Sequence, residues 1–189
     1  MAELQLDSHK TALVLIDLQN ATVAVNTAPH PATQVVANSV KLAEAFRAQG
    51  APVVYVRVDL NDFLDLTVDQ PFNLGSAPLP GILSEIAPSA GFQPGDLLLT
   101  KRHWGAFAGT DLEQHLKSRG VDTVVLTGIS TNAGVESTAR QGTGLGFGFV
   151  AVEDACSGQD GEQHRFAFEK IFPRLGCVRS TDEVLAALG

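Results

Sequence analysis

Short apolar runs alternate along this chain with stretches whose apolar residues recur at helical spacing. Residues 11–18 (TALVLIDL), 52–58 (PVVYVRV), 96–100 (DLLLT), 123–129 (TVVLTGI) and 149–152 (FVAV) are of the first kind. Nearly continuous apolar runs without polar alternation read as strands covered on both faces. After a proline-containing loop, Val35, Val36, Val40, Leu42, Ala43 and Phe46 repeat at helical spacing until Gly50 stops them. Further helices are predicted over residues 111–119, from about residue 133 into the glycine-dense run 142–148, over 162–172 with Pro173 as the stop, and over 183–188. Thr110 and Thr181 are the expected N-caps of the first and last of these, and Gly120 a C-cap. Val178 begins a short sixth strand. The alternation predicts an α/β fold, a three-layer α/β/α sandwich around a six-stranded, mainly parallel, Rossmann-like sheet. No repeat or second domain is visible, so residues 1–189 read as one domain.

Two stretches depart from this rhythm. Residues 59–94 contain Pro71, Pro78, Pro80 and Pro88 and only a short helical stretch near 82–86; a segment of that length and irregularity reads as a lid or binding loop. The other is LTGISTNAGVESTAR, residues 126–140, where a strand turns abruptly into a helix. Gly128 breaks the strand, Ser130, Thr131 and Asn132 are all N-cap types, and Glu136 falls early in the helix, where its dipole favours a carboxylate. Such an elbow aims unpaired N–H groups at one spot suited to an anion or oxyanion. Taken alone, the stretch reads more readily as an ordinary strand-to-helix turn. Ligands of open parallel sheets bind beyond the carboxyl ends of the strands. Asp17, Asp59, Lys101, the elbow, and Glu153 with Asp154 all occupy such ends.

Composition narrows the function. With 44% hydrophobic and 18% charged residues the chain is globular in character, and a net charge of −8 leaves no basic stripe for a nucleic-acid backbone. Two cysteines, Cys156 and Cys177, suggest neither a disulfide framework nor a zinc cluster and suit a reducing cytoplasm. The N-terminus lacks an apolar signal core, and no apolar stretch approaches the roughly 18 residues needed to span a bilayer. The expected partner is therefore a small molecule in the cytoplasm, with neither nucleic acid nor membrane.

Asp17 follows an apolar run, and poor solvation there would raise its pKa into the range of acid–base catalysis; alternatively it is a turn-forming loop cap. Lys101 either orients and charges such an Asp or is a surface lysine after a strand. His103 can donate to a substrate oxygen or serve as a structural hydrogen-bonder. Trp104 and Phe107 are either a pocket wall or core. Both cysteines read as small buried residues.

ALVLIDLQN, TKRHWGAF, GISTNAGVESTAR and VEDAC, in this order, resemble the isochorismatase-like hydrolase superfamily, which contains nicotinamidases, N-carbamoyl amidohydrolases and isochorismatases. The resemblance covers nearly the whole chain, and residues 101–135 are most similar to the YecD-type hydrolases. It implies the superfamily's fold, no cofactor, and a homo-oligomer. It places the catalytic Asp at Asp17 and the catalytic Lys at Lys101. Gln19, His103, Trp104, Phe107, Ser130, Asn132 and Ala133 are the implied substrate contacts. It also implies a cis peptide between Ile129 and Ser130.

The position of the amidase nucleophile, a cysteine, falls on Gly134, so the resemblance excludes an acyl-thioester route here. Isochorismatases also carry glycine there and hydrolyse a vinyl ether by acid–base chemistry, but with an Arg-Tyr-Ser run where this chain has His103, Trp104 and Gly105. Nicotinamidases hold a metal with an Asp and two His after the second strand; Asp59 fits, but Asn61 stands where a His is needed, which implies no catalytic metal. The expectation is a small-molecule hydrolase working through Asp17 and Lys101. The alternatives are amide or ureide hydrolysis by activated water, and a non-catalytic ligand-binding protein. Gly134, in a first helical turn, is expected to have ordinary helical angles and to tolerate a Cβ.

Overall fold

All six residues of β1 (Thr11–Ile16) are buried. Successive side chains of a strand point to opposite faces, so Ala12, Val14 and Ile16 enter one core and Leu13 and Leu15 the other. The strand therefore lacks polar alternation because neither of its faces meets water. In the computed structural model, which describes residues 4–71, 75 and 77–188, this strand lies inside a six-stranded sheet. The others are β2 (Val53–Val58), β3 (Leu97–Lys101), β4 (Thr123–Ile129), β5 (Gly148–Ser157) and β6 (Cys177–Arg179). Their order is β3-β2-β1-β4-β5-β6, and every pairing is parallel.

Helices cover both faces: α1 (Asn20–Val23), α2 (Ala32–Ala48), α3 (Leu112–Ser118), α4 (Glu136–Gly144), α5 (Gly161–Phe166), α6 (Phe172–Leu175) and α7 (Thr181–Leu188). One core packs Val14, Val54 and Val124 with Leu112 and Leu116 of α3, Ala139 of α4 and Phe172 of α6. The opposite core packs Leu13, Leu15, Tyr55 and Val125 with Leu42 and Phe46 of α2 and Val184 and Leu188 of α7. Each such fully buried aliphatic or aromatic side chain contributes about 1.5–3 kcal/mol. The edge strand β3 differs from the central ones: its exposure alternates, with Leu97 and Leu99 packed on the core while Leu98 faces outward.

Several boundaries differ from the sequence pattern: β5 runs from Gly148 to Ser157, past the predicted end at Val152, so Glu153 and Asp154 lie within the strand and not at its end. Strand β1 stops at Ile16 because Asp17 adopts φ 51°, outside the extended region. Pro173 does not end the helix that begins at Gly161: a π-helical turn, Ala167–Ile171, precedes α6 and places Pro173 in a first turn, where its missing N–H matters least. Helix α3 begins one residue later than expected, although Thr110 Oγ1 still accepts from the Leu112 N–H at 3.2 Å. Of the irregular segment 59–94, residues 72–74 and 76 lie outside the described residues. Its described part includes two 3₁₀ turns, Gly81–Ser84 and Pro88–Ala90.

The chain order reverses between β1 and β4, which makes their carboxyl ends the switch point of the sheet. Here Gly128 lies opposite Ile16 with φ 129°. A Cβ at Gly128 would stand 2.1 Å from the Ile16 carbonyl oxygen, so both torsion and space demand glycine. Gly128→Ala is expected to destabilise the fold by at least about 3 kcal/mol, read as a lowered urea midpoint. An unchanged midpoint would contradict this close strand approach.

Candidate active site at the switch point

The backbone turn at Asp17 leaves its carboxylate buried at the end of β1. Lys101 closes β3, two strands away across β2, and its long side chain reaches back so that Nζ donates to Asp17 Oδ2 at 2.7 Å. The ammonium also donates to the His103 carbonyl at 3.0 Å, which fixes its approach. With side-chain exposures of 2% for Lys101 and 9% for Asp17, the pair is shielded from water. Burial pushes the Asp17 carboxyl up to about 6, and the charge and hydrogen bond of Lys101 only partly oppose that rise. Among the described residues, no hydrogen-bond partner reaches the buried Oδ1 of Asp17.

Gly134 completes this corner. The elbow is a π-helical turn, Thr131–Val135, between β4 and α4, and the Ile129–Ser130 peptide before it is cis. A Cβ built on Gly134 would lie 3.0 Å from Asp17 Oδ2, which brings the three positions together, but only 2.7 Å from Ile16 Cγ2. The expected tolerance of a side chain therefore fails: the residue's φ is not in the left-handed range, but the space beside it is already taken. Ile16 is β-branched and anchored in the core, so it cannot swing away freely.

The elbow's polar residues form cross-links rather than caps. No side chain caps the turn; the Ser130 carbonyl accepts from Ala133 N–H at 3.1 Å and Val135 N–H at 3.2 Å, so those two donors are not aimed at a ligand. Thr131 Oγ1 bonds His164 Nδ1 at 2.8 Å. The Asn132 side-chain amide donates to Gln163 Oε1 on α5, and Asn132 faces a groove shared with Glu136, Asp160 and Phe166. Thr138 Oγ1 donates to the Gly134 carbonyl at 2.6 Å and accepts from Ala106 N–H at 3.0 Å, tying the loop after β3 to the elbow.

Two expected substrate contacts have other duties. Gln19 is wholly buried: Nε2 donates to the carbonyls of Val58 at 3.0 Å and Leu83 at 3.3 Å, and Oε1 accepts from Val58 N–H at 2.9 Å. Both of its amide hydrogens are therefore committed to main chain. Phe107 is core, buried with Phe147 and Phe149, and not a pocket wall. His103 and Trp104 do form a face: the His103 ring stacks on Trp104 at 5.9 Å and on Phe63 at 5.1 Å. Phe63 carried no signal in the sequence because it lies in the irregular segment. A Cβ at Gly105, where isochorismatases carry serine, would meet Gln141 Oε1 at 2.2 Å, so the Gln141 amide would have to leave the Phe107 and Ala108 N–H groups it accepts from. Asp59 accepts from Asn61 N–H at 3.0 Å, so it closes its own turn. Cys156 is buried within β5, its Sγ donating to the Leu126 carbonyl of the neighbouring β4, and burial drives its thiol far upward and makes a thiolate unfavourable.

A second polar cluster joins Glu153 to two histidines distant in sequence. Glu153 Oε1 accepts from His30 Nε2 at 2.8 Å and from His164 Nε2 at 3.1 Å. Burial pushes the Glu153 carboxyl up, and the two histidine hydrogen bonds outweigh it, holding it below its ordinary value. Only the fold assembles these three residues, since no sequence spacing links them.

The raised Asp17 pKa has a consequence for stability. An unfolded Asp binds its proton more weakly than the native one, so Asp17 favours folding most below pH about 4, and that contribution is lost as the pH rises through about 6. Measured by urea denaturation, the stability of wild type relative to Asp17→Asn is expected to fall by about 2 kcal/mol between pH 4 and pH 7. Parallel curves for the two proteins would contradict the raised value.

Comparison with known proteins places the chain as a whole. Residues 11–183 match the family model of the isochorismatase domain. The chain is 46% identical over 187 residues to the uncharacterised isochorismatase family protein YecD of Escherichia coli O157:H7, covering 98% of this chain and all of that one. It is 29% identical over 214 residues to the ureidoacrylate amidohydrolase RutB of Acinetobacter baylyi, covering 94% and 83% of the two chains. The solved structure of an isochorismatase family protein from Burkholderia thailandensis superposes with a TM-score of 0.91 at 42% identity, covering 99% of each chain. Family model, relatives and fold agree that this chain belongs to the isochorismatase-like hydrolase family.

Proposed function

We propose that this family member hydrolyses a small metabolite by acid–base chemistry centred on Asp17, without a covalent cysteine intermediate, and that a vinyl ether is its substrate class. The observation that carries the reading is the buried Asp17–Lys101 pair, with a carboxyl near pKa 6 whose Oδ2 takes the lysine and lies beside Gly134, while Oδ1 has no hydrogen-bond partner among the described residues. Protonated Asp17 delivers its proton to the enol-ether carbon. Water then adds to the resulting oxocarbenium carbon, and the hemiacetal so formed releases the alcohol and a carbonyl product. The proton lost by the attacking water restores Asp17. Lys101 holds the carboxyl in place and balances its charge once the proton has left. The stacked faces of His103 and Trp104 flank the substrate.

A second reading rests on the relative named for amide chemistry. In it, Asp17 is the base that activates water against an amide or ureide carbonyl, with no thiol at Gly134 to form a covalent intermediate.

The two readings require opposite ionisation states of one carboxyl. A rate that needs the acid falls about tenfold per unit as the pH rises above about 6, whereas a rate that needs the base falls as the pH drops below about 6. Panels of vinyl ethers, amides and ureides, followed as kcat/KM against pH, separate them. Asp17→Asn is expected to lower turnover roughly 10²–10⁴-fold. Undiminished turnover would remove Asp17 from the mechanism, and saturable metabolite binding without any turnover would indicate a binding protein. Because Lys101 lowers the Asp17 pKa, Lys101→Met is expected to move the limb to higher pH; an unmoved limb would show that the two groups are not coupled.

A further inference from the structure

His30, Glu153 and His164 come from three separate parts of the chain and meet beside the elbow. His30 lies in the loop before α2, Glu153 in β5 and His164 in α5. Each offers a ligand atom, and the three atoms lie within 4.8 Å of one another. We propose that these residues form a binding site for one divalent transition-metal ion of the zinc class, with a coordination position open to solvent.

Two imidazoles and one carboxylate are a donor set that zinc and its neighbours favour, and three protein ligands leave a position for water or a small molecule. Bonds of about 2.0–2.1 Å to a tetrahedral ion place neighbouring ligand atoms about 3.3 Å apart. The two nitrogens stand 2.8 and 3.1 Å from the Glu153 oxygen, a few tenths of an ångström from that spacing, and the three ligand atoms all lie within 4.8 Å of one another. Exposure is graded: the side chain of His164 is 2% exposed, that of His30 20% and that of Glu153 39%. The site therefore has a buried anchor and an open side.

The surroundings orient both rings. A metal on Nε2 requires the proton on Nδ1, with an acceptor facing it. His164 Nδ1 faces Thr131 Oγ1 at 2.8 Å, and a hydroxyl can accept. His30 Nδ1 faces the Gln34 side-chain amide at 3.3 Å, whose oxygen takes the nitrogen's place by a half-turn. Binding through Nε2 would leave each imidazole with its proton on Nδ1, facing these acceptors. The backbone fixes His30 as well: Ala28 and Gly158 exchange hydrogen bonds at 2.7 and 3.3 Å, and Thr27 Oγ1 donates to the His30 carbonyl at 2.8 Å. A bound ion would clamp the His30 loop to β5 and, through Thr131, to the elbow.

The test is direct binding of Zn²⁺ and Co²⁺ to the full chain after removal of bound metal. The expected result is one ion per chain at micromolar or tighter affinity, with visible ligand-field absorption for Co²⁺. His30→Ala and Glu153→Gln are each expected to weaken binding at least tenfold while leaving the circular dichroism unchanged. These two carry the test because both side chains are partly exposed, whereas buried His164 has a role in packing against Phe168. A double variant, His9→Asn with His115→Asn, removes two of the remaining histidines and is expected to bind as wild type does. Failure to saturate at micromolar ion, binding that survives both ligand variants, or binding abolished in the double variant would each overturn the site.

Discussion

The organising interaction is the ion pair between Asp17 and Lys101, formed where water is scarce. A buried pair contributes little net stability, because desolvating two charges offsets most of their attraction. Its value lies elsewhere. Desolvation dominates the Asp17 titration and the Lys101 ammonium moderates it, so the carboxyl gains and loses a proton near neutrality instead of near pH 4. The strand order makes this geometry available: Asp17 ends β1 at the switch point, and Lys101 must cross β2 to reach it. A shorter cationic stem at residue 101 would not span that gap.

Much of the polar chemistry around the pair holds main chain in position. Gln19 staples the loop after β1 to the end of β2 and to the 3₁₀ turn at Gly81–Ser84. Thr138 and Gln141 of α4 receive the backbone of residues 106–108 and so anchor the loop that carries His103 and Trp104. Asp154 accepts from both the N–H and the hydroxyl of Thr181 and so seats the start of α7. Each bracket satisfies backbone groups that would otherwise be buried unpaired. A flat aromatic face and one titrating carboxyl are thereby held on a rigid frame.

The two glycines of the corner act through space rather than flexibility alone. At Gly128 the parallel neighbour is so close that a methyl group would overlap a carbonyl oxygen, and its φ is positive as well. At Gly134 the torsion is ordinary and only the room is missing, because Ile16 and Asp17 already fill it. The absence of a side chain there is thus matched by its neighbours, and returning one requires them to move.

The sequence by itself determined the layers and the strands. Burial on both faces writes a continuous apolar run, and helical burial writes its own period, so β1, β2, β4 and α2 were legible from local pattern. Asp17 and Lys101 were legible as charges placed where such runs stop, and the family motifs named them together. Tertiary structure alone decided what each polar residue touches. Gln19 and Phe107 occupy motif positions like those of His103 and Trp104, yet the fold turns the first pair inward and leaves the second at the surface. It also gathered His30, Glu153 and His164, separated in the chain by 123 and 11 residues, onto one carboxylate oxygen. The physical reason is range: periodicity records a residue's environment within its own element, whereas a hydrogen-bond partner from another element depends on register, crossover and packing across the sheet.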